Sequence, residues 1–203
     1  MNICIFGDSI TYGAFDEEKG GWAIRLRLYL EKINPDIELH NLGISGENSN
    51  DLLKRFNNEV KVREPDLILI AIGINDSQYL IEEDRHSVLI DEFNKNIETL
   101  INEASKFTSR IIFIGLTPVD EDKTNPIPWN TNKIYNNSYI KLYDQKIRKV
   151  CEEAKLEYIN IYDEFIKHKN YTELLPDGLH PNSQGHQLLF KVVKNNLKFS
   201  KNE

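Results

Sequence analysis

One serine, one aspartate and one histidine of this chain stand in settings from which an activated nucleophile can be built. Ser9 lies in Gly7-Asp8-Ser9-Ile10, directly after the first hydrophobic run. Asp177 and His180 lie in Asp177-Gly178-Leu179-His180, just before the last helical stretch. A serine hydroxyl is weak until a base removes its proton, and His180 is the candidate base. Asp177 precedes it by three residues, so one turn of chain can bring a carboxylate to the second ring nitrogen. There it would set the tautomer and stabilise the imidazolium. Two further motifs, Asn41-Leu42-Gly43-Ile44-Ser45-Gly46 and Gly73-Ile74-Asn75-Asp76, each follow a hydrophobic run. They offer the other need of acyl transfer, donors for a developing oxyanion.

Each motif alone has a structural explanation. Gly-Asp-Ser before a helix can serve only as an N-cap. The 41–46 segment can be an ordinary strand-to-helix turn, and Asn75 can close an Asx-turn. A lone histidine in a loop is ordinarily structural, and His40, His86, His168 and His186 are read that way. The four motifs together, in the order Ser…Asp…His, reverse the balance. Asp8 and Asp76 flank the candidates and are read as acceptors for loop backbone, not as proton-transfer groups. Because Asp8 precedes the serine and Ile10 follows it, the motif is not a Gly-x-Ser-x-Gly elbow.

Over nearly its whole length the chain resembles the SGNH subgroup of the GDSL esterase/lipase family, on these four motifs. The one departure is Ile10 where the name-giving motif has leucine, a swap between apolar groups of like size. The resemblance implies a flavodoxin-like sheet of five parallel strands ordered 2-1-3-4-5. It also implies an oxyanion hole made by the Ser9 N–H, the Gly46 N–H and the Asn75 side-chain amide. Gly43 could instead be the turn residue that frees Gly46 for this task.

The elements that must position these residues are legible as alternating strands and helices. Strand candidates are residues 2–6, 37–42, 67–72, 110–116 and 157–161. Leu67-Ile68-Leu69-Ile70-Ala71-Ile72 and Ile111-Ile112-Phe113-Ile114 are continuous apolar runs, which suits strands buried on both faces. Helical stripes are Trp22-Leu26-Tyr29-Leu30-Ile33, Phe93-Ile97-Leu100-Ile101-Ala104, Tyr135-Tyr139-Leu142-Tyr143-Ile147-Val150 and Leu189-Val192-Val193. Ser183 is the expected cap of the last, and a shorter helix is expected from about 49 to 62. Strand–helix alternation over 203 residues predicts a single domain, 1–203, with a three-layer α/β/α sandwich. In such sheets ligands bind beyond the carboxyl ends of the strands, where Ser9, Gly46 and Asn75 all fall.

Composition narrows the remaining classes. Lys plus Arg number 25 against 32 Asp plus Glu, a net charge of -7 that argues against a phosphate-backbone partner. No apolar run approaches the roughly 18 residues that cross a bilayer. The start of the chain has no basic, apolar signal pattern. Cys4 and Cys151 are read as buried free thiols, and a cytoplasmic location is expected. Asp177 and His180 could ligate a metal, but no His-x-x-x-His or Cys-x-x-Cys pair completes a set, so no metal or cofactor is expected. The long connections 76–88 and 117–133 are candidate pocket walls, with Trp129, Ile127 and Tyr135 the apolar groups available. Their polarity predicts a small or short-chain acyl ester as substrate. A thioesterase, lysophospholipase or acyltransferase using the same residues, or a silent carbohydrate- or lipid-binding module, are the alternatives.

Overall fold

A computed structural model of the chain describes residues 1–197. In chain order the elements are β1 (Asn2–Gly7), α1 (Ser9–Tyr12), α2 (Trp22–Ile33), β2 (Glu38–Gly43), α3 (Ser49–Lys61) and β3 (Leu67–Ala71). There follow α4 (Ile74–Ser77), β4 (Tyr79–Leu80), β5 (Arg85–His86), α5 (Ile90–Ala104), β6 (Ile111–Ile114) and α6 (Glu121–Thr124). The last are β7 (Lys133–Ile134), α7 (Asn137–Ala154), β8 (Glu157–Ile159), α8 (Tyr162–Ile166) and α9 (Ser183–Asn196).

Five parallel strands form the main sheet in the order β2-β1-β3-β6-β8. Counting only these five, the order is 2-1-3-4-5, as the resemblance implies. The apolar runs at β3 and β6 lie inside the sheet and are buried, whereas edge strand β2 is half-exposed along most of its length. Helices α3, α5 and α7 pack side by side, and α2 packs on α9. Helices on both faces explain why the inner strands carry no polar alternation.

Helix stripes decide which faces are covered, and two of the expected stripes need correction. In α2, Trp22, Leu26 and Leu30 are buried, but Tyr29 and Ile33 are 38% and 62% exposed. Ala23 and Arg25 complete the buried face instead, because α9 crosses on that side. Tyr29 stays on the surface, edge-on to Phe190 with Lys194 over its ring. Tyr135 is not part of α7 at all. That helix starts at Asn137, capped by Asn136, and buries Ile140, Tyr143, Ile147 and Val150, while Leu142 faces outward. The α5 stripe is buried as expected. The cap of α9 is Asn182, which accepts from the Gln184 and Gly185 N–H groups; Ser183 is the first helical residue. The 49–62 expectation is met by α3, which Asn48 and Asp51 cap reciprocally.

The two long connections are not structureless. Strands β4, β5 and β7 form a small antiparallel sheet in the order β5-β4-β7, pairing Tyr79 with His86 and with Ile134. The 76–88 segment is therefore tied to the end of the 117–133 segment by strand pairing. Cys4 and Cys151 are buried free thiols. Among the described residues no helix is long and apolar enough to cross a membrane.

Candidate active site

At the carboxyl edge of the sheet, Gly7 of β1 lies between Gly43 of β2 and Ala71 of β3. The chain turns sharply after Gly7 into α1. Asp8 caps that helix, its carboxylate accepting from the Ile10 N–H at 2.9 Å. Ser9 is thereby the first helical residue, not the cap, and its hydroxyl stays free for other work. Its N–H, opening the helix, has no carbonyl one turn back to bond. Gly43 is required by close approach: a Cβ there would lie 2.3 Å from the Tyr12 nitrogen, so β2 can sit beside α1 only with glycine. Gly46 differs. No atom lies within 4 Å of its would-be Cβ, and its φ of 83° supplies the reason for glycine.

His180 faces Ser9 from the loop before α9. Its Nε2 lies 2.9 Å from Ser9 Oγ, and its Nδ1 lies 2.7 Å from Asp177 Oδ2. A carboxylate only accepts, so Nδ1 carries the proton and Nε2 is left to accept from the serine hydroxyl. The other Asp177 oxygen accepts from the Leu179 and His180 N–H groups at 2.9 and 2.7 Å. One carboxylate thus shapes the turn and orients the ring. Burial alone would raise the Asp177 carboxyl, but the hydrogen bonds from the His180 side chain and backbone outweigh it. They hold the group below the ordinary range. Asp8 and Asp76 show the opposite balance. Burial pushes Asp8 up to about 6 against its backbone hydrogen bonds, and Asp76 up to about 7 against those from Ser49.

Asn75 sits in α4 and is held at both ends of its amide. Its Nδ2 donates to the Glu47 carbonyl at 2.8 Å, and its Oδ1 accepts from the Tyr135 hydroxyl at 2.8 Å. Because a carbonyl only accepts, the amide orientation is settled, and one of its two N–H groups remains for a ligand. The loop carrying Gly46 is clamped by Arg55, whose guanidinium binds the Glu47 carboxylate and the Leu42 carbonyl. Asp76 accepts from both the backbone and the hydroxyl of Ser49, tying α4 to α3. This matches the loop-holding role read for it.

Ser9, Gly46, Asn75 and His180 line one cleft of about 470 Å³, with Ile127, Trp129 and Tyr135. Every residue singled out as a pocket group is therefore in the cleft. Tyr135 does a second thing that its sequence position did not reveal, since it fixes Asn75. No residue of the 76–88 segment lines the cleft, so that loop is not a wall of it. Phe15 was missed. Its ring stacks on His180 with centroids 5.1 Å apart and planes 10° from parallel, and Trp129 stacks at 6.5 Å. Phe15 has φ 66°, a conformation that costs a bulky residue roughly 1–3 kcal/mol, and nothing in local sequence announces it. Asp16 and Arg25 were also missed. Their ion pair is buried, and Arg25 reaches the Ser183 hydroxyl, locking α2 to the start of α9. His186 is structural as read: its ring bonds the Ala14 carbonyl and the Trp22 N–H. Among the described residues no group of three or more His, Cys, Asp or Glu could hold a metal ion.

A hydroxyl, an imidazole and a carboxylate in this chain of contacts, at the switch point of a parallel sheet, define a serine-hydrolase class of site. The sequence pattern of the GDSL-like lipase/acylhydrolase family matches residues 5–188, and the chain belongs to that family. It is a carboxylic ester hydrolase. A GDSL esterase/lipase of Arabidopsis thaliana is 32% identical, covering 95% of this chain and 78% of that protein. The acetylxylan esterase of Geobacillus stearothermophilus is 24% identical over 97% of this chain and 94% of its own length. Among solved structures, the lipase/acylhydrolase of Enterococcus faecalis superposes with a TM-score of 0.81 at 26% identity, covering 98% of both chains.

Proposed function

We propose that Ser9 is the nucleophile, His180 the general base and then acid, and Asp177 the group that orients His180, in hydrolysis of small acyl esters through an acyl-enzyme. The observation that carries this is the pair of contacts at His180, 2.9 Å to Ser9 Oγ and 2.7 Å to Asp177 Oδ2. His180 takes the serine proton as Oγ attacks the acyl carbon. The Ser9 and Gly46 N–H groups and the Asn75 amide then receive the oxyanion. The proton passes to the leaving alcohol, and water repeats the sequence to free the acid.

A short acyl group is favoured by the lining of the cleft. Ile127 and Tyr135 line it and are both buried, with the Tyr135 hydroxyl bonded to Asn75. A long chain needs an extended apolar channel, worth about 0.8 kcal/mol per buried CH₂, and the other groups here include Ser45, Asn130 and Lys133. The names of two relatives agree with a small acyl group: acetylxylan esterase and, at 25% identity, the isoamyl acetate-hydrolyzing esterase of Saccharomyces cerevisiae. The test is kcat/KM over aryl esters from acetate to palmitate. We expect a peak at acetate to butyrate and a fall by octanoate; a rise continuing to palmitate overturns the short-chain claim.

A further inference from the structure

The cleft holding Ser9 is only half of what surrounds Phe15. On the other side of that residue lies a second groove of about 700 Å³, bordered by Tyr12, Ile24, Arg27, His40, Asn41 and Arg63. Ala14 and Phe15 line both spaces, so the Phe15 ring stands on the divide between them. Tyr12 and Phe15 are 61% and 53% exposed, an unusual pair of open aromatic rings beside an active site. The segment is also held tightly in place. The Ala14 carbonyl accepts from buried His186, and the Asp16 carboxylate accepts from Gly21, Lys19 and Arg25. A left-handed φ at Phe15 is what turns its ring over His180 between these two anchors.

The direction of the chemistry decides what that ring meets. In acylation, Nε2–H of His180 gives its proton to the alkoxy oxygen as the acyl C–O bond breaks, the acyl group passing to Ser9 Oγ. The departing alcohol must therefore lie on the His180 side, away from Gly46 and Asn75. We propose that Phe15 is the specificity-determining residue for the alcohol portion of the ester, its ring packing on that group, with the groove beyond receiving alcohols too large for the cleft. The substrate class this favours is an ester of a ring-bearing alcohol, whose flat face can stack on an aromatic side chain. The inference rests on the assignment of Ser9 and His180 above.

The test holds the acyl group constant and varies the alcohol. Steady-state kcat/KM is measured for ethyl, phenyl and 2-naphthyl acetate with the parent, Phe15→Ala, Phe15→Tyr and Ser9→Ala. Comparing each variant with the parent on the same ester cancels the intrinsic reactivity of the leaving group. Phe15→Ala is expected to lower the naphthyl-to-ethyl ratio by about tenfold, the scale of one aromatic contact. Phe15→Tyr, which keeps the ring, is expected to restore most of that ratio. An equal loss on all three esters, or a ratio unchanged in Phe15→Ala while Phe15→Tyr loses activity, overturns the proposal and makes Phe15 a support for His180 alone. Turnover persisting in Ser9→Ala instead overturns the catalytic assignment, a result separable from any change in ratio.

Discussion

The two halves of the site are built by different means. Ser9, Gly46 and Asn75 come from three connections at the ends of β1, β2 and β3, and meet because those strands are neighbours in the sheet. Asp177 and His180 are three residues apart, and their geometry is internal to one turn. The first half depends on register across the sheet and on clamps such as Arg55 and Tyr135. The second needs only that its loop be docked, which the Arg25 contact to Ser183 helps to do. A long-range assembly tolerates damage at a clamp by small degrees, whereas a local relay fails at once when a member is removed. This predicts graded losses at the clamps of the strand-end half and abrupt ones at Ser9, Asp177 and His180.

The largest effect is expected at the atom both halves serve. Ser9→Ala should cut kcat by about 10⁴ to 10⁶ and abolish fluorophosphonate labelling, with far-ultraviolet circular dichroism unchanged. Equal labelling of parent and variant would remove Ser9 from the relay. Asp177→Asn keeps the shape of the turn but not the acceptor pattern, and should cost about 10⁴ in kcat by the tautomer it imposes. Asn75→Ala should cost roughly 10² to 10³ in kcat with KM nearly constant, because its donor matters most at the transition state. If Asn75→Ala instead acts through KM or thermal midpoint, Asn75 belongs to packing. Tyr135→Phe removes only one hydrogen bond that orients Asn75, worth about 1 kcal/mol, so a loss near fivefold in kcat is expected. A loss as large as that of Asn75→Ala would mean Tyr135 touches substrate itself.

The carboxylates sharpen the same contrast through pH. Asp76, in the strand-end half, has its folded pKa raised by burial to about 7. The folded state therefore binds more protons than the unfolded chain between about 4 and 7, and stability falls as pH rises through that window. Asp177 is lowered, so its contribution is present above the ordinary carboxylate range and is lost as pH falls through the folded value. Urea midpoints measured from pH 5 to 8 should decline for the parent and decline less for Asp76→Asn. An identical slope for both would show that Asp76 does not titrate in this window.

Much of this could be read from residue order. The apolar runs at β3 and β6 announced strands buried on both faces, since parallel strands under two helical layers have no polar side. The local pair Asp177 and His180 was legible because three residues span one turn. Chain order also placed Ser9, Gly46 and Asn75 after strands, where open parallel sheets bind ligands. Less legible were the features that need two distant segments at once. Tyr135 fitted a helical period, yet it belongs to the approach to α7 because Asn136 caps that helix. Its hydroxyl finds Asn75 only once β3 and β7 are in place. The 76–88 connection looked like a pocket wall from its length alone, but its short strands pair with each other and with β7, and none of its residues lines the cleft.

Residue types and spacing by themselves determined the alternation of elements, the strand ends at which chemistry could sit and the pairing of Asp177 with His180, because periodicity and short loops are local properties. Tertiary structure alone decided that Phe15 lies over His180, that Arg25 joins α2 to α9, and that burial drives Asp8 and Asp76 one way while hydrogen bonds drive Asp177 the other. A backbone dihedral, a desolvated charge and a stacked ring each arise from atoms far apart in the chain, so no local pattern of residues could have carried them.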